Sequence, residues 1–286
     1  MQRPRNIPAA LPEAETIDVQ ALKRSLADGS VELVCVLGPT ASGKTKYAVA
    51  LAHELGGEII SADSRQVYRG MDIGTGKDLA EYGDIPYHVI DVADPGDGYN
   101  VFRFKEDFQR AYDDIRSRGA VPILCGGTGL YINAVTSGYD FKTHKPLSEP
   151  GRWPIRSAMT QYSEDESSGV MPGLTGPPAV PRTYFIGTLV SREVRNARID
   201  ARLDARLQEG MVDEIKGLLD SGVPAATLIS YGLEYKYVTL YLTGALDYDS
   251  MRTQLATAIH QFAKRQMTWF RGMERSGVVI HWTEVQ

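Results

Sequence analysis

Gly38-Pro39-Thr40-Ala41-Ser42-Gly43-Lys44-Thr45 is the stretch whose reading decides the fold. It fits the phosphate-loop pattern G-x-x-x-x-G-K-[ST] at every defined position. An apolar run over residues 31–37 reads as a buried parallel strand before it, and residues 44–55 read as a helix after it. The loop therefore joins a strand end to a helix N-terminus, where free backbone N–H groups and the helix dipole favour an anion. Gly38 and Gly43 let the backbone wrap closely around phosphate oxygens, with Thr40, Ala41 and Ser42 between them. Lys44 suits terminal phosphate charge, and the Thr45 hydroxyl suits Mg²⁺. The motif predicts a polyphosphate or pyrophosphate ligand. It does not specify a kinase.

Outward from the loop, residues 58–62 read as a second strand that runs into Asp63-Ser64-Arg65-Gln66-Val67-Tyr68. A glycine-punctuated loop over 70–77 follows, then a third strand, Tyr87-His88-Val89-Ile90-Asp91. Asn100 is placed to cap a helix through residue 118, with Val101, Phe104, Phe108, Ala111 and Ile115 at helical spacing and Gly119 as its stop. Residues 121–125 form the fourth strand, ending in Gly126-Gly127-Thr128-Gly129-Leu130-Tyr131, which opens another helix. Strands alternating with helices predict an α/β fold, a parallel P-loop NTPase-like sheet flanked by helices. Ligands of such sheets bind at the carboxyl ends of the strands, so the phosphate loop, the Asp63 loop and the Thr128 loop should converge.

The rest of the chain is less regular. Residues 1–30 read as a polar N-terminal extension, loose at first, with a short helix over 17–26. Residues 31–137 form the P-loop core, and 138–182 break the pattern as a Pro-rich insertion, disordered in part or forming a lid. Residues 183–286 complete the core with a strand over 183–190, helices over 191–209, 211–221, 226–243 and 248–271, and a last strand over 278–282. The 286 residues, 43% hydrophobic and 23% charged, suit one large domain with a small appendage. A net charge of -5 argues against diffuse nucleic-acid binding and leaves room for a local basic surface. Cys35 and Cys125 fall in apolar runs and read as buried thiols of a reducing compartment. Arg3 and Arg5 precede no apolar leader, and no run reaches membrane-spanning length, so a cytoplasmic protein without a membrane partner is expected.

Three groups of residues could carry chemistry. Asp63, at a strand end beside the phosphate loop, suits either Mg²⁺ held through water or a proton taken from a nucleophile. Asp91, after Val89-Ile90, is the other carboxylate placed like a metal-holding strand-end Asp. On the helix from Ser191, Arg192, Arg195, Arg198, Arg202 and Arg206 fall within about 120° of one another, a single stripe. Such a stripe is either a solvated face, paired with Glu193, Asp200 and Asp204, or a set of guanidinium forks whose first turns point at the phosphate site. Lys264-Arg265-Gln266-Met267-Thr268-Trp269-Phe270-Arg271 mixes basic and aromatic residues, as RNA contact or core packing would require. His88, His260 and His281 lack metal spacing and read as structural.

Four blocks together resemble the tRNA dimethylallyltransferase family. They are the phosphate loop, the run from Ser61 to Thr75 (Ser-Ala-Asp-Ser-Arg-Gln-Val-Tyr-Arg-Gly-Met-Asp-Ile-Gly-Thr), Gly126-Gly127-Thr128-Gly129-Leu130-Tyr131, and Lys264 to Arg271. The resemblance implies transfer of a dimethylallyl group from its diphosphate to N6 of adenosine 37 in the tRNA anticodon stem-loop. It implies that Lys44, Thr45 and Arg192 or Arg198 hold the diphosphate, with Mg²⁺ on Thr45. Asp63 would act as general base, and Asp63, Ser64, Arg65, Gln66 and Thr128 would lie against the flipped-out nucleotide. Lys264 and Arg265 would meet RNA, and a monomer is expected. The insertion after the Tyr131 block is much shorter than the family's helical one, and Ser230-Tyr231-Gly232-Leu233-Glu234-Tyr235-Lys236-Tyr237 only loosely follows the family's Gly-Tyr motif. Neither departure is expected to touch the diphosphate site. Rival readings are a prenyltransferase acting on free adenine nucleotide, a small-molecule kinase with ATP on the loop, and a non-catalytic RNA- or nucleotide-binding descendant.

Overall fold

Six parallel strands form one sheet in the computed structural model, which describes residues 11–137, 180 and 182–285 and the backbone of 139–140 and 145–146. In chain order they are β1 (Leu33–Leu37), β2 (Gly57–Ser61), β3 (Tyr87–His88), β4 (Val121–Gly126), β7 (Thr183–Leu189) and β8 (Ile280–Glu284). Their spatial order is β3-β2-β4-β1-β7-β8. Between β4 and β7, β5 (Tyr139–Asp140) and β6 (Lys145–Pro146) pair separately and antiparallel. All other structural expectations for the insertion, including a lid, lie outside the described residues, as do those for the first ten.

Every residue of β1 is buried. Leu33, Cys35 and Leu37 face one core, and Val34 and Val36 face the other, so helices must cover both faces. One face carries α1 (Val19–Ala27), capped by the Asp18 carboxylate, and α2 (Lys44–Leu55). The other carries α3 (Val101–Ser117), α4 (Gly129–Thr136) and the C-terminal helices. Asn100 accepts from the N–H groups of Phe102 and Arg103, and Phe104, Phe108, Ala111 and Ile115 are the buried face of α3. The C-terminal helices are α5 (Arg192–Glu209), α6 (Met211–Asp220), α7 (Ala225–Ser230), α8 (Leu233–Leu242) and α9 (Tyr248–Arg275). Among the described residues no helix is long and apolar enough to cross a membrane.

Several elements differ from the sequence reading, β1 among them, which begins at Leu33 and not at residue 31. The third strand stops after two residues, because Val89 and Asp91 take left-handed φ values of 62° and 55°. The chain there turns back on the Asp63 loop: Asp91 N–H donates to Gln66 O, Val92 N–H to Val67 O, and the Asp91 carboxylate meets the buried Lys77 ammonium. Asp91 is thus taken up by an ion pair. The helix expected over 226–243 is two helices, broken at Gly232, whose φ of +135° a side-chain-bearing residue rarely adopts. The last strand begins two residues late, leaving Val279 68% exposed.

Candidate active site

The register sets the site. Leu37 pairs with Gly126 and Ser61 with Cys125, so β1, β2 and β4 end at one level. Their following loops line a cleft of about 980 Å³, so the three loops do converge.

The first wall is the phosphate loop. Ala41 and Gly43 take left-handed φ values of 61° and 81°, which turns consecutive N–H groups to one side of the loop. Thr40, Ala41, Gly43, Lys44 and Thr45 line the cleft. Gly38 and Ser42 are not part of the lining: the Ser42 hydroxyl is buried 2.6 Å from Thr188 Oγ1, and Gly38 packs on the same threonine. These two residues brace the loop from β7. Lys44 opens α2, and its enclosure lowers the ammonium's pKa below that of an ordinary lysine.

The arginine stripe meets this wall through its middle turns, not its first. Arg198, Arg202 and Arg206 line the cleft, whereas Arg192 is exposed at the start of α5 and outside the lining. Arg195 is buried instead. Arg202 donates from Nη2 to Thr40 Oγ1 at 2.6 Å, which locks the stripe to the loop. Arg206 pairs with Asp78 at 3.4 Å. Among the described residues, Lys44, Arg198 and Arg202 have no carboxylate in salt-bridge range. Burial makes the Lys44 and Arg202 charges costly; the carboxylates of Asp63, Glu81 and Glu234 offset that cost from beyond contact distance, and an anionic ligand in contact would relieve it further.

The second wall carries Asp63, Ser64, Arg65, Gln66 and Thr128, all lining the cleft. Asp63 Oδ1 accepts from Arg65 N–H at 2.9 Å, which aims the carboxylate back along its own loop. Thr128 Oγ1 accepts from Ser64 N–H at 3.2 Å, so the Thr128 loop buttresses the Asp63 loop. Cys125 lies at the base, its thiol pushed up to about 12 by burial and therefore inert. The Tyr231–Tyr235 stretch, not singled out as a site in the sequence, also lines the cleft; burial raises the pKa of the Glu234 carboxyl there.

α9 divides its basic-aromatic block. Phe270 is buried, Lys264 is exposed off the cleft, and Arg265 lines the cleft with its guanidinium 5.8 Å from the Phe262 ring centre. Trp269 packs on Gly129 where a side chain would otherwise stand. The sequence reading missed Gln266. Its buried amide accepts from Thr40 N–H at 2.8 Å and donates to Gly127 O at 3.1 Å, tying the phosphate loop to the Thr128 loop. The signal was present, since a glutamine on the buried side of a helix needs partners. Arg202 was on the stripe but not singled out.

A phosphate loop between a parallel strand and a helix, with cations on one wall of the cleft and a strand-end carboxylate on the other, defines a P-loop α/β protein. The comparisons with known proteins are specific. The sequence matches the IPP transferase family over residues 66–175 and 161–273 and the isopentenyl transferase family over 31–82. It is 51% identical to tRNA dimethylallyltransferase 1 of Porphyromonas gingivalis over 284 residues, 88% of this chain and 93% of that protein. It is 47% identical to tRNA dimethylallyltransferase 1 of Parabacteroides distasonis, covering 89% and 93%. The full-length tRNA isopentenylpyrophosphate transferase of Bacillus halodurans superposes with a TM-score of 0.70 at 32% identity, covering 88% of this chain and 89% of that one. The chain belongs to the tRNA dimethylallyltransferase family.

Proposed function

We propose that this protein transfers the dimethylallyl group of dimethylallyl diphosphate to N6 of adenosine 37 in the tRNA anticodon stem-loop, as a cytoplasmic monomer. The observation that carries this reading is the arrangement of one cleft: Lys44, Arg198 and Arg202, with no carboxylate in salt-bridge range among the described residues, on the wall facing the Asp63 carboxylate.

In this reading the diphosphate sits on the N–H groups of Ala41 and Gly43 and on the three cations. The adenine leaves its stack to enter the second wall, where Asp63, Ser64, Arg65, Gln66 and Thr128 meet it. The N6 lone pair forms the new C–N bond as the allylic C–O bond breaks, and the electron pair leaves with the diphosphate. The proton lost from N6 passes to the Asp63 carboxylate, a useful step because an exocyclic amine is a poor nucleophile. Negative charge growing on the leaving group is met by Lys44 and the arginines, an electrostatic contribution realised most fully in the transition state. Hard oxygen donors at the loop, the Thr45 hydroxyl with Asp63 and Glu81 on the same cleft, suit Mg²⁺, which when bound on Thr45 supplies further neutralisation of the diphosphate. Arg265, on the cleft lining, and Lys264, off it, meet RNA phosphates.

Nucleoside mass spectrometry of unmodified tRNA after incubation with dimethylallyl diphosphate and Mg²⁺ tests the reading. A dimethylallyl mass gain at adenosine 37 is expected. Prenylated AMP with untouched tRNA overturns it in favour of the free-nucleotide reaction.

A further inference from the structure

The Gly74–Gly76 segment forms part of the second wall, and it has no side chains of its own with which to hold its place at the two glycines. It is held from outside by one carboxylate. Glu214, in the first turn of α6, accepts from Asp72 N–H at 2.8 Å and Ile73 N–H at 2.7 Å through Oε2. Through Oε1 it accepts from Gly74 N–H at 3.0 Å and from the Tyr235 hydroxyl at 2.6 Å. Gly74 permits this closeness, since a Cβ there would stand 2.8 Å from the Tyr235 ring. Four hydrogen bonds to an ionised acceptor form a strong local anchor.

The anchored segment reaches the reacting residues through Gln66. Gly76 O accepts from Gln66 Nε2 at 3.0 Å, and Gln66 Oε1 accepts from the Ser61 hydroxyl at 3.1 Å. These two bonds fix which way the Gln66 amide faces, three residues from Asp63. The Glu214 carboxylate itself is not on the cleft lining.

We propose that Glu214 is a positioning residue for the acceptor wall: it holds residues 72–76 so that Gln66 presents a fixed amide edge to the incoming adenine. The inference rests on the tRNA-prenylation reading. It assigns Glu214 to acceptor engagement and not to donor binding, because the chain of contacts ends on the Asp63 loop and not on the phosphate loop.

Glu214→Gln leaves the size unchanged and turns an NH₂ group toward two of the four donors. Its kcat/KM for an adenosine-37 stem-loop should fall about ten- to hundredfold, with dimethylallyl diphosphate affinity, read by thermal shift, changed by less than about twofold. The double variant with Gln66→Ala should lose less than the product of the two single losses, as residues acting in one chain of contacts do. Tyr235→Phe removes one of the four bonds and should shift stem-loop kinetics in the same direction by less, which keeps the test open should Glu214→Gln fail to fold. Independent losses in the double variant, equal losses of donor and acceptor affinity, or wild-type stem-loop kinetics in these variants would overturn the proposal. If the wild-type protein transfers nothing to the stem-loop, the tRNA reading falls and this inference with it. If the wild type is active and Glu214→Gln matches it, only this inference falls.

Discussion

At the phosphate-loop end of the cleft, Lys44, Arg198 and Arg202 face the space without a carboxylate partner among the described residues. At the other end, Asp63, Ser64, Gln66, Thr128 and the 72–77 loop are knitted together by hydrogen bonds to one another and to Glu214. In the proposed reading the first end is completed by its ligand: like charges held close together, with lowered pKa at Lys44 and Arg202 through burial, would be relieved by a bound diphosphate. The second end is already organised, as a site must be if a weak nucleophile is to meet a base in one geometry. A multiply charged donor can draw its site together, whereas a neutral adenine edge has to find its partners in place.

The sharpest way to break this comparison is Asp63→Asn. The single-turnover transfer rate should fall by about two to four decades, the usual range for a lost general base, with the fold unchanged. Rates near wild type would remove Asp63 from the chemistry. Next in size, Lys44→Ala should cost about a hundred- to a thousandfold in turnover and weaken donor binding as well, because its ammonium meets diphosphate charge in the ground state and more of it in the transition state. The same group gives a pH signature. Its lowered pKa means that donor affinity should decline with rising pH before an ordinary lysine would lose its proton, and Lys44→Arg should move that decline to higher pH. A decline unaffected by Lys44→Arg would place the titrating group elsewhere.

Gln266→Ala tests the tie between the two ends. It leaves Thr40 N–H and Gly127 O without their partner and should destabilise the fold by about 1–3 kcal/mol in chemical denaturation. Michaelis constants for donor and stem-loop should then rise together. A rise for one alone would show that Gln266 serves one wall only. The smallest effect is expected at the rim: charge reversal at Lys264 or Arg265 should raise the Michaelis constant for tRNA more than for the donor, and each should lower the salt slope of RNA binding by about one. Salt dependence unchanged in both would take this face of α9 out of RNA contact.

The donor wall was the more legible of the two in the sequence. A phosphate loop is contiguous, so strand, turn and helix announce it within residues 31–55, and α2 spans the predicted residues. Asp63 and Thr128 were legible for the same reason, each following a recognisable strand. What escaped was contact across long separations. Gln266 reaches Thr40 from 226 positions away, Arg202 reaches it from 162, and Glu214 reaches Asp72 from 142. No local spacing marks such partners. The short β3 escaped because Asp91 leaves the strand to neutralise buried Lys77, a tertiary demand that overrides strand propensity.

The division between the two ends is tested most directly by calorimetric titration of dimethylallyl diphosphate, with Mg²⁺, into wild type, Lys44→Ala and Asp63→Asn under one buffer condition. The account predicts that Asp63→Asn binds the donor as the wild type does, while Lys44→Ala loses most of its affinity. Donor binding lost in Asp63→Asn and retained in Lys44→Ala would contradict it.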